Sequence, residues 1–161
     1  MTTTKAPATI EVAITAEPLE DRPSGEGRDG RSGAEVRFSG RVRDEAGQVR
    51  ALFLEHYPGM TERALRRIGE HARERWPLNA IEMIHRVGEI RVGEEIVRVV
   101  VWAGHRQAAF EACAFLMDVL KSQVPLWKKE LTDDGWHWVE ARERDAEAAA
   151  RWMAPSSEGA R

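Results

Sequence analysis

Positively charged side chains flank one amphipathic run, Gly104 to Glu130, and these are the residues whose types could do chemistry. His105 and Arg106 open the run, Lys121 lies near the end of its apolar part, and Lys128 follows shortly after. Arginine and lysine bind phosphate and carboxylate oxygens, and a lysine crowded by other cations gives up its proton more readily. The pattern therefore predicts a site for an anionic substrate. The simpler alternative is a solvated amphipathic helix with ordinary surface lysines.

The run between these cations predicts a helix with one buried face. Its apolar residues recur at three- and four-residue steps; they are Ala108, Ala109, Cys113, Leu116, Met117 and Leu120. His105 and Arg106 then lie at the helix N-terminus, where unpaired backbone N–H groups favour an anion. Lys121 lies at the opposite end, and Pro125 stops the helix. The segment Pro125 to Lys129 is expected to form an ordered turn anchored by its aromatic residue.

The composition indicates one domain of ordinary type, spanning residues 1–161, with flexible segments at 1–8, about 20–33 and 154–161. A formal net charge of −3 argues against a nucleic-acid partner. No apolar run reaches the length of a membrane span and no signal peptide is evident, so we expect a cytoplasmic protein with no membrane association. The single cysteine, Cys113, is interpreted as a small core residue, with a catalytic thiol as the less favoured alternative.

The remaining elements predict an α+β domain with a mostly antiparallel sheet. Strands are expected at Thr9–Thr15, Ala34–Val42, Val49–Tyr57, Ile81–Val87, Glu95–Trp102 and Gly135–Ala141. The second and third are expected to pair as a hairpin, Gly88 to Gly93 to be a connection, and Glu95–Trp102 to be a central strand. Further helices are expected from a Thr61 cap to Trp76, and over Asp145–Met153. The five histidines lack metal-ligand spacing, so neither a metal nor a cofactor is expected.

Six short blocks occur in an order that resembles the large, catalytic subunit of molybdopterin synthase. They are Phe38–Arg43 (FSGRVR), Leu54–Thr61 (LEHYPGMT), Ile84–Ile90 (IHRVGEI), the His105-Arg106 pair, Pro125–Glu130 (PLWKKE) and Trp138–Arg142 (WVEAR). Together they span roughly Ala34 to Trp152. Each block alone is a weak signal, whereas LEHYPGMT and PLWKKE in one chain are specific.

The resemblance implies an α/β hammerhead-type domain with an antiparallel sheet and an added small antiparallel subdomain. It also implies a sulfur-transfer reaction on cyclic pyranopterin monophosphate, which builds the dithiolene of molybdopterin. The sulfur would come from the C-terminal glycine thiocarboxylate of a small ubiquitin-like subunit, whose tail enters a pocket of this chain. The implied assembly is a central homodimer with one small subunit at each far end, which makes a heterotetramer.

The resemblance assigns roles to six residues of this sequence. Lys121 and Lys128 match the catalytic lysines, and Arg43, His105, Arg106 and Arg142 match residues that bind the anionic substrate or tail. We expect Lys121 to act as an acid or base and Lys128 to hold the substrate or the tail. A covalent role for Lys121 is the less supported alternative. The simplest alternatives are that Lys121 only caps helix carbonyls and that Arg142 makes a surface ion pair.

Two other classes of protein compete with the enzyme. One is a non-catalytic binding module for a phosphorylated metabolite, which needs no ubiquitin-like partner. The other is an interaction scaffold whose basic pocket docks an acidic C-terminal tail without pterin turnover. Two lysines in a catalytic arrangement argue against both, since neither binding function requires them.

Overall fold

The computed structural model describes residues 5–21, 27–140 and 143–153. Within these ranges the chain forms eight strands and three helices. In chain order they are β1 (Thr9–Thr15), β2 (Ala34–Arg41), β3 (Ala51–His56), α1 (Met60–Arg75), β4 (Leu78–Arg86), β5 (Gly88–Arg91), β6 (Glu95–Ala103), α2 (Arg106–Gln123), β7 (Leu126–Thr132), β8 (Gly135–Val139) and α3 (Glu143–Ala150). None of these helices is long and apolar enough to span a membrane.

The larger sheet, which we call sheet A, has the strand order β1-β4-β6-β2. β1 runs parallel to β4, whereas the β4–β6 and β6–β2 pairs are antiparallel. Alternation along the strands points one set of apolar side chains at α1 and α2. Ile81, Met83 and Val99 meet Leu65 of α1 and Leu116 of α2 there, and all five are at most 1% exposed. This layer is the main hydrophobic core.

The other face of sheet A is covered by the described residues between β1 and β2, which are 16–21 and 27–33. Arg98 of β6 donates from Nη1 to the carbonyl oxygen of Glu20 at 2.9 Å. Gly27 lies against the ring of Trp102, where a Cβ atom would stand 2.4 Å from ring carbon Cδ1. Gly27 also has a φ of 80°, so glycine is required at this position for both space and backbone conformation.

The smaller sheet, sheet B, has the order β5-β3-β7-β8 and is antiparallel throughout. One face buries a compact cluster that contains Leu52 and Leu54 of β3, Ile90 of β5, and the flanking residues Val42 and Val49. The other face carries aromatic residues that remain partly exposed. Sheet B therefore has a much smaller core than sheet A.

The residues that follow α3 pack through aromatic contacts around one arginine. The guanidinium of Arg75 lies 5.1 Å from the ring centroids of Trp76 and Phe115 and 5.6 Å from that of Trp152. The indole N–H of Trp152 also donates to Asp118 of α2 at 2.7 Å. These contacts hold the end of the described chain against α1 and α2.

The predicted α+β class, the antiparallel character and the second small sheet are confirmed. β1 has the predicted bounds, β6 lies inside sheet A as expected, and α2 ends before Pro125. Helix α1 begins at Met60 with Gly59 as its N-cap, and Glu62 rather than Thr61 accepts the Gly59 N–H, at 2.6 Å. The prediction of Thr61 as the cap is therefore wrong.

Three further predictions of local structure are wrong for a common physical reason. β2 and β3 do not form a hairpin, because β2 pairs with β6 in sheet A while β3 pairs with β5 and β7 in sheet B. The expected turn over Pro125–Lys129 is mostly strand β7, and the expected connection after Gly88 contains strand β5. Each of these strands has a partner that is distant in sequence, which alternation alone does not identify, although β7 also pairs with the adjacent β8.

Candidate active site

Helix α2 carries predicted site residues at both of its ends. His105 is its extended N-cap residue, Arg106 is its first residue, and Lys121 lies in its last turn; all three side chains are exposed. Arg106 and Lys121 are fifteen positions apart, which corresponds to about 22 Å along a helix that rises 1.5 Å per residue. The structure of one chain therefore does not bring His105 and Arg106 together with Lys121.

The segment from Lys121 to Lys128 is fixed at its midpoint by a buried hydroxyl. Thr61 of α1 is fully buried, and its Oγ1 donates to the carbonyl oxygen of Pro125 at 3.1 Å. The Thr61 Oγ1 in turn accepts the backbone N–H of Tyr57 at 3.1 Å. This hydroxyl thus ties the junction between α2 and β7 to the junction between β3 and α1, so the paths that lead to both lysines are held in place.

Strand β7 places its two adjacent lysines on opposite faces of sheet B. Lys128 is half-buried and lies in register between Leu54 of β3 and Val139 of β8. Lys129 faces the aromatic side, where its ammonium lies 4.3 Å from the ring centroid of Trp138. Of the two lysines, only Lys128 therefore shares a face with the buried Leu54.

The two remaining residues predicted to bind an anion are Arg43 and Arg142, and the structure describes the first of them. Arg43 follows Val42, whose backbone N–H donates to the carbonyl oxygen of Glu94 at 3.0 Å. The Arg43 side chain is 72% exposed and pairs with Glu45 at 2.7 Å. Arg142 lies outside the described residues. An anion at Arg43 would thus compete with an exposed carboxylate, which is a weak competitor in water.

The sequence interpretation missed an aromatic surface on the open face of sheet B. It consists of Tyr57, Trp127, Trp136 and Trp138, which are 41–58% exposed. The indole N–H of Trp127 donates to the Tyr57 hydroxyl, and the rings of Trp127 and Trp138 meet edge to face at 6.0 Å. The two-residue spacing of Trp136 and Trp138 on a strand was the available signal, since it puts both rings on one face.

The lone cysteine is a core residue, as predicted. Cys113 is 4% exposed, and burial raises the pKa of its thiol to about 11. The reactive thiolate is therefore scarce at neutral pH. Among the described residues no group of three or more His, Cys, Asp or Glu side chains could hold a metal ion.

Comparison with known proteins gives a consistent result. Residues 12–123 match the family described as "MoaE protein". The molybdopterin synthase catalytic subunit of Mesorhizobium japonicum is 58% identical over 126 residues, which cover 77% of this chain and 79% of the relative. The subunit of the same name from Escherichia coli is 55% identical over 122 residues, covering 74% and 81%.

Solved structures agree with this assignment. The molybdopterin biosynthesis MoaE protein from Burkholderia ambifaria has a TM-score of 0.75 and 42% identity, covering 92% of this chain and 99% of that one. Molybdopterin synthase from Staphylococcus aureus has a TM-score of 0.72 and 31% identity, covering 79% and 95%. The chain therefore belongs to the MoaE family, whose curated relatives are molybdopterin synthase catalytic subunits.

Proposed function

We infer that this chain is the catalytic subunit of molybdopterin synthase, a sulfurtransferase. It transfers sulfur from the C-terminal thiocarboxylate of a small ubiquitin-like subunit to cyclic pyranopterin monophosphate, and the product is the dithiolene of molybdopterin. The observation that carries this conclusion is the 58% identity with a curated catalytic subunit over 77% of the chain. The reaction takes place in the cytoplasm, and residues 1–161 act as one domain.

Lys121 and Lys128 form the catalytic part of the proposed site. Lys121 transfers protons while the thiocarboxylate sulfur attacks the pterin side chain, and Lys128 holds the substrate or the partner's tail. The buried Thr61–Pro125 hydrogen bond supports this proposal, because it fixes the segment that joins the two lysines. An acid–base group needs that fixed position, since proton transfer requires hydrogen-bond reach of the reacting atom.

Arg43, His105, Arg106 and Arg142 bind the negative charges of the substrate and the tail. Since about 22 Å of helix separates Arg106 from Lys121, one chain cannot supply both ends of α2 to one ligand. We propose that the homodimer brings the His105–Arg106 end of one chain to the Lys121 end of its partner. A two-fold interface permits this, because residue i of each copy can meet residue j of the other. One small subunit per chain completes the heterotetramer.

The adjacent lysines of β7 supply a matched pair of variants for the first experiment. Purified wild type, Lys121→Ala, Lys128→Ala and Lys129→Ala are each mixed with thiocarboxylated small subunit and cyclic pyranopterin monophosphate, and dithiolene formation is measured. We expect rate losses of about 10²–10⁴-fold for Lys121→Ala, the size of a general acid–base contribution. Lys128→Ala should lose activity and Lys129→Ala should keep it. Partner binding without turnover by wild type would instead support the scaffold.

A mixing experiment tests the shared site. Lys121→Ala and Arg106→Ala chains are unfolded, mixed and refolded, so that half of the dimers contain one chain of each kind. If each site takes Lys121 from one chain and Arg106 from the other, every mixed dimer has one intact site, and about one quarter of wild-type activity returns. No recovery, with mixed dimers confirmed by mass spectrometry, would show that each site belongs to one chain.

A further inference from the structure

A cavity outside the proposed sulfur-transfer site lies between sheet A and the segment that follows β1. Its volume is about 350 Å³, which is at the small end of the range for small-molecule sites. Four arginines line it: Arg37 and Arg41 of β2, Arg86 of β4 and Arg98 of β6. None of the six residues assigned to sulfur transfer lines this cavity.

Strand register brings these arginines together. Arg37, Ser39 and Arg98 share the face of sheet A that points away from the helices, and Ser39 lies directly opposite Arg98. A bulge between Gly40 and Arg41 changes the direction of β2 at this point. Ile84 of β4 lies opposite Arg98. Arg86 follows two residues later at the end of β4, so its side chain lies on the same face. Several strands are thus needed to assemble the lining.

Two of the three lining carboxylates are tied to the two buried arginines. Arg98 contacts Glu95 at 2.6 Å and Arg86 contacts Glu94 at 3.1 Å. The backbone N–H of Arg91 chiefly lowers the pKa of Glu94. Burial opposes ionisation of Glu95, but hydrogen bonds from Arg98 and from a serine hydroxyl lower its pKa overall. Both carboxylates therefore stay ionised and neutralise one guanidinium each at neutral pH.

The remaining charges of the described lining leave an excess of one positive charge. Arg37 pairs with Asp21, the third carboxylate, at 3.0 Å. Arg41 instead donates to a neutral acceptor, the carbonyl oxygen of Gly93, at 2.9 Å. Four arginines thus face three carboxylates in the lining. Arg41 lies near enough to Glu95 to lower the pKa of that carboxyl, but it hydrogen-bonds to a carbonyl oxygen.

A buried donor in the same cavity has no acceptor among the described residues. Arg86 is 6% exposed, and its Nε has no hydrogen-bond partner there. Buried N–H groups in folded proteins are nearly always paired, because an unpaired one loses its hydration without compensation. The cavity thus combines a lining rich in guanidinium groups with a buried arginine whose Nε–H is unpaired among the described residues.

We propose that this cavity binds the phosphate group of a small phosphorylated metabolite, with Arg41 and Arg86 as its principal ligands. Guanidinium groups donate pairs of hydrogen bonds to phosphate oxygens, which a single ammonium cannot do. A phosphate oxygen would accept hydrogen bonds from the Arg41 guanidinium. The Arg86 Nε–H has almost no accessible surface, so Arg86 would donate it to the phosphate after its side chain turns toward the cavity. The remaining volume accommodates a small organic group. This binding site is independent of sulfur transfer.

Inorganic phosphate is the probe for the test, with the full-length chain. Arg43→Gln/Arg106→Gln serves as the background, so that the sulfur-transfer site contributes less phosphate binding. Calorimetry measures affinity, and ¹⁵N–¹H NMR follows the arginine Nε–H signals at constant ionic strength. We expect one saturable site and a downfield shift of the Arg86 Nε–H proton.

Substitution of exposed arginines distinguishes this site from general charge attraction. Arg41→Gln should weaken phosphate binding at least about tenfold, consistent with loss of a charge-assisted fork. Arg41→Lys should give an intermediate affinity, because it keeps the charge but loses the fork. The matched control is Arg50→Gln, which removes an exposed arginine paired with Asp133 beside sheet B, and it should leave binding unchanged.

Three results would overturn the proposal. They are the absence of saturable binding in the background variant, equal effects of Arg41→Gln and Arg50→Gln, and an Arg86 Nε–H signal that does not move on saturation. Circular dichroism verifies that each variant is folded. Sulfur transfer by the wild-type chain is measured separately, so failure of this proposal and failure of the proposed function are distinguishable.

Discussion

Sheets A and B differ in how they are buried. Sheet A packs one face on α1 and α2 and has its other face covered by the segment after β1, so strands β4 and β6 are buried along most of their length. Sheet B buries one small cluster and leaves an aromatic face partly exposed. Exposed aromatic surfaces of this kind are typical of contact sites. We therefore expect sheet A to contribute most of the stability. Sheet B carries Lys128 on one face and an exposed aromatic surface on the other.

The largest expected effect tests where the stability resides. Leu116→Ala removes a fully buried side chain between α2 and sheet A, and it should lower the free energy of unfolding by about 2–5 kcal/mol. Trp138→Ala removes a larger side chain from sheet B, but that residue is 58% exposed, so the loss should be smaller, about 1–2 kcal/mol including its contact with Lys129. Urea denaturation measures both. Equal losses would mean that the two sheets contribute alike.

The joint between the two sheets is expected to be the next most sensitive position. Thr61→Val keeps the shape but leaves the Pro125 carbonyl and the Tyr57 N–H without their buried partner, at a cost of about 1–3 kcal/mol. Sulfur transfer should fall in kcat at temperatures where the variant is fully folded, because the segment between the lysines loosens. Thr61→Ser keeps the hydroxyl and should restore both properties. A variant with normal kcat would make Thr61 a purely structural residue.

A pH titration probes the same joint with a smaller effect. Burial lowers the pKa of His85 on β4, which lies near His56 of β3. The unfolded chain therefore binds a proton more readily, and stability present above about pH 6.5 is lost as the pH falls below it, with a slope of at most about 1.4 kcal/mol per pH unit. Urea denaturation at pH 7.5 and 5.5 should show this loss. The loss should shrink in His85→Gln and persist in the exposed His137→Gln.

The smallest expected effect concerns the aromatic face of sheet B. Lys129→Met keeps the aliphatic stem but removes the ammonium above Trp138, with an expected loss of about 0.5–1 kcal/mol for an exposed cation–π contact. Thermal unfolding monitored by tryptophan fluorescence measures it. Lys129→Arg preserves the contact and is the control. A loss several times larger would indicate that the aromatic face contributes to the core.

The sequence was sufficient for the elements whose signals are local. The three- and four-residue apolar steps predicted α2, the β-branched run predicted β6, and Pro125 predicted the helix end. The pairing of β2 and β3 was not predictable in this way. Apolar and polar residues alternate in both strands and a polar loop joins them, so the sequence favoured a hairpin between these two neighbouring strands. β2 pairs with β6, which begins 54 residues after β2 ends. β3 pairs with β7, which begins 70 residues after β3 ends.

The residues of the candidate site come from the sequence and stay predictions, and their geometry was only partly predictable. The separation of Arg106 and Lys121 follows from helix rise alone, since the sequence places them at opposite ends of one helix. The role of Thr61 was not predictable, because its contact with Pro125 spans 64 positions. The arginine cavity needed the register of β2, β4 and β6, which sequence alternation does not fix.

The two faces of β7 have a consequence for how its coding sequence can change. Because successive side chains point to opposite sides, an insertion or deletion of one codon between Pro125 and Lys128 would exchange the faces on which the two lysines lie. It would bring Trp127 or Lys129 to the buried face and send Lys128 to the aromatic face. Lys129 therefore cannot replace Lys128 when the segment changes in length. We expect this short segment to tolerate many substitutions better than an insertion or a deletion.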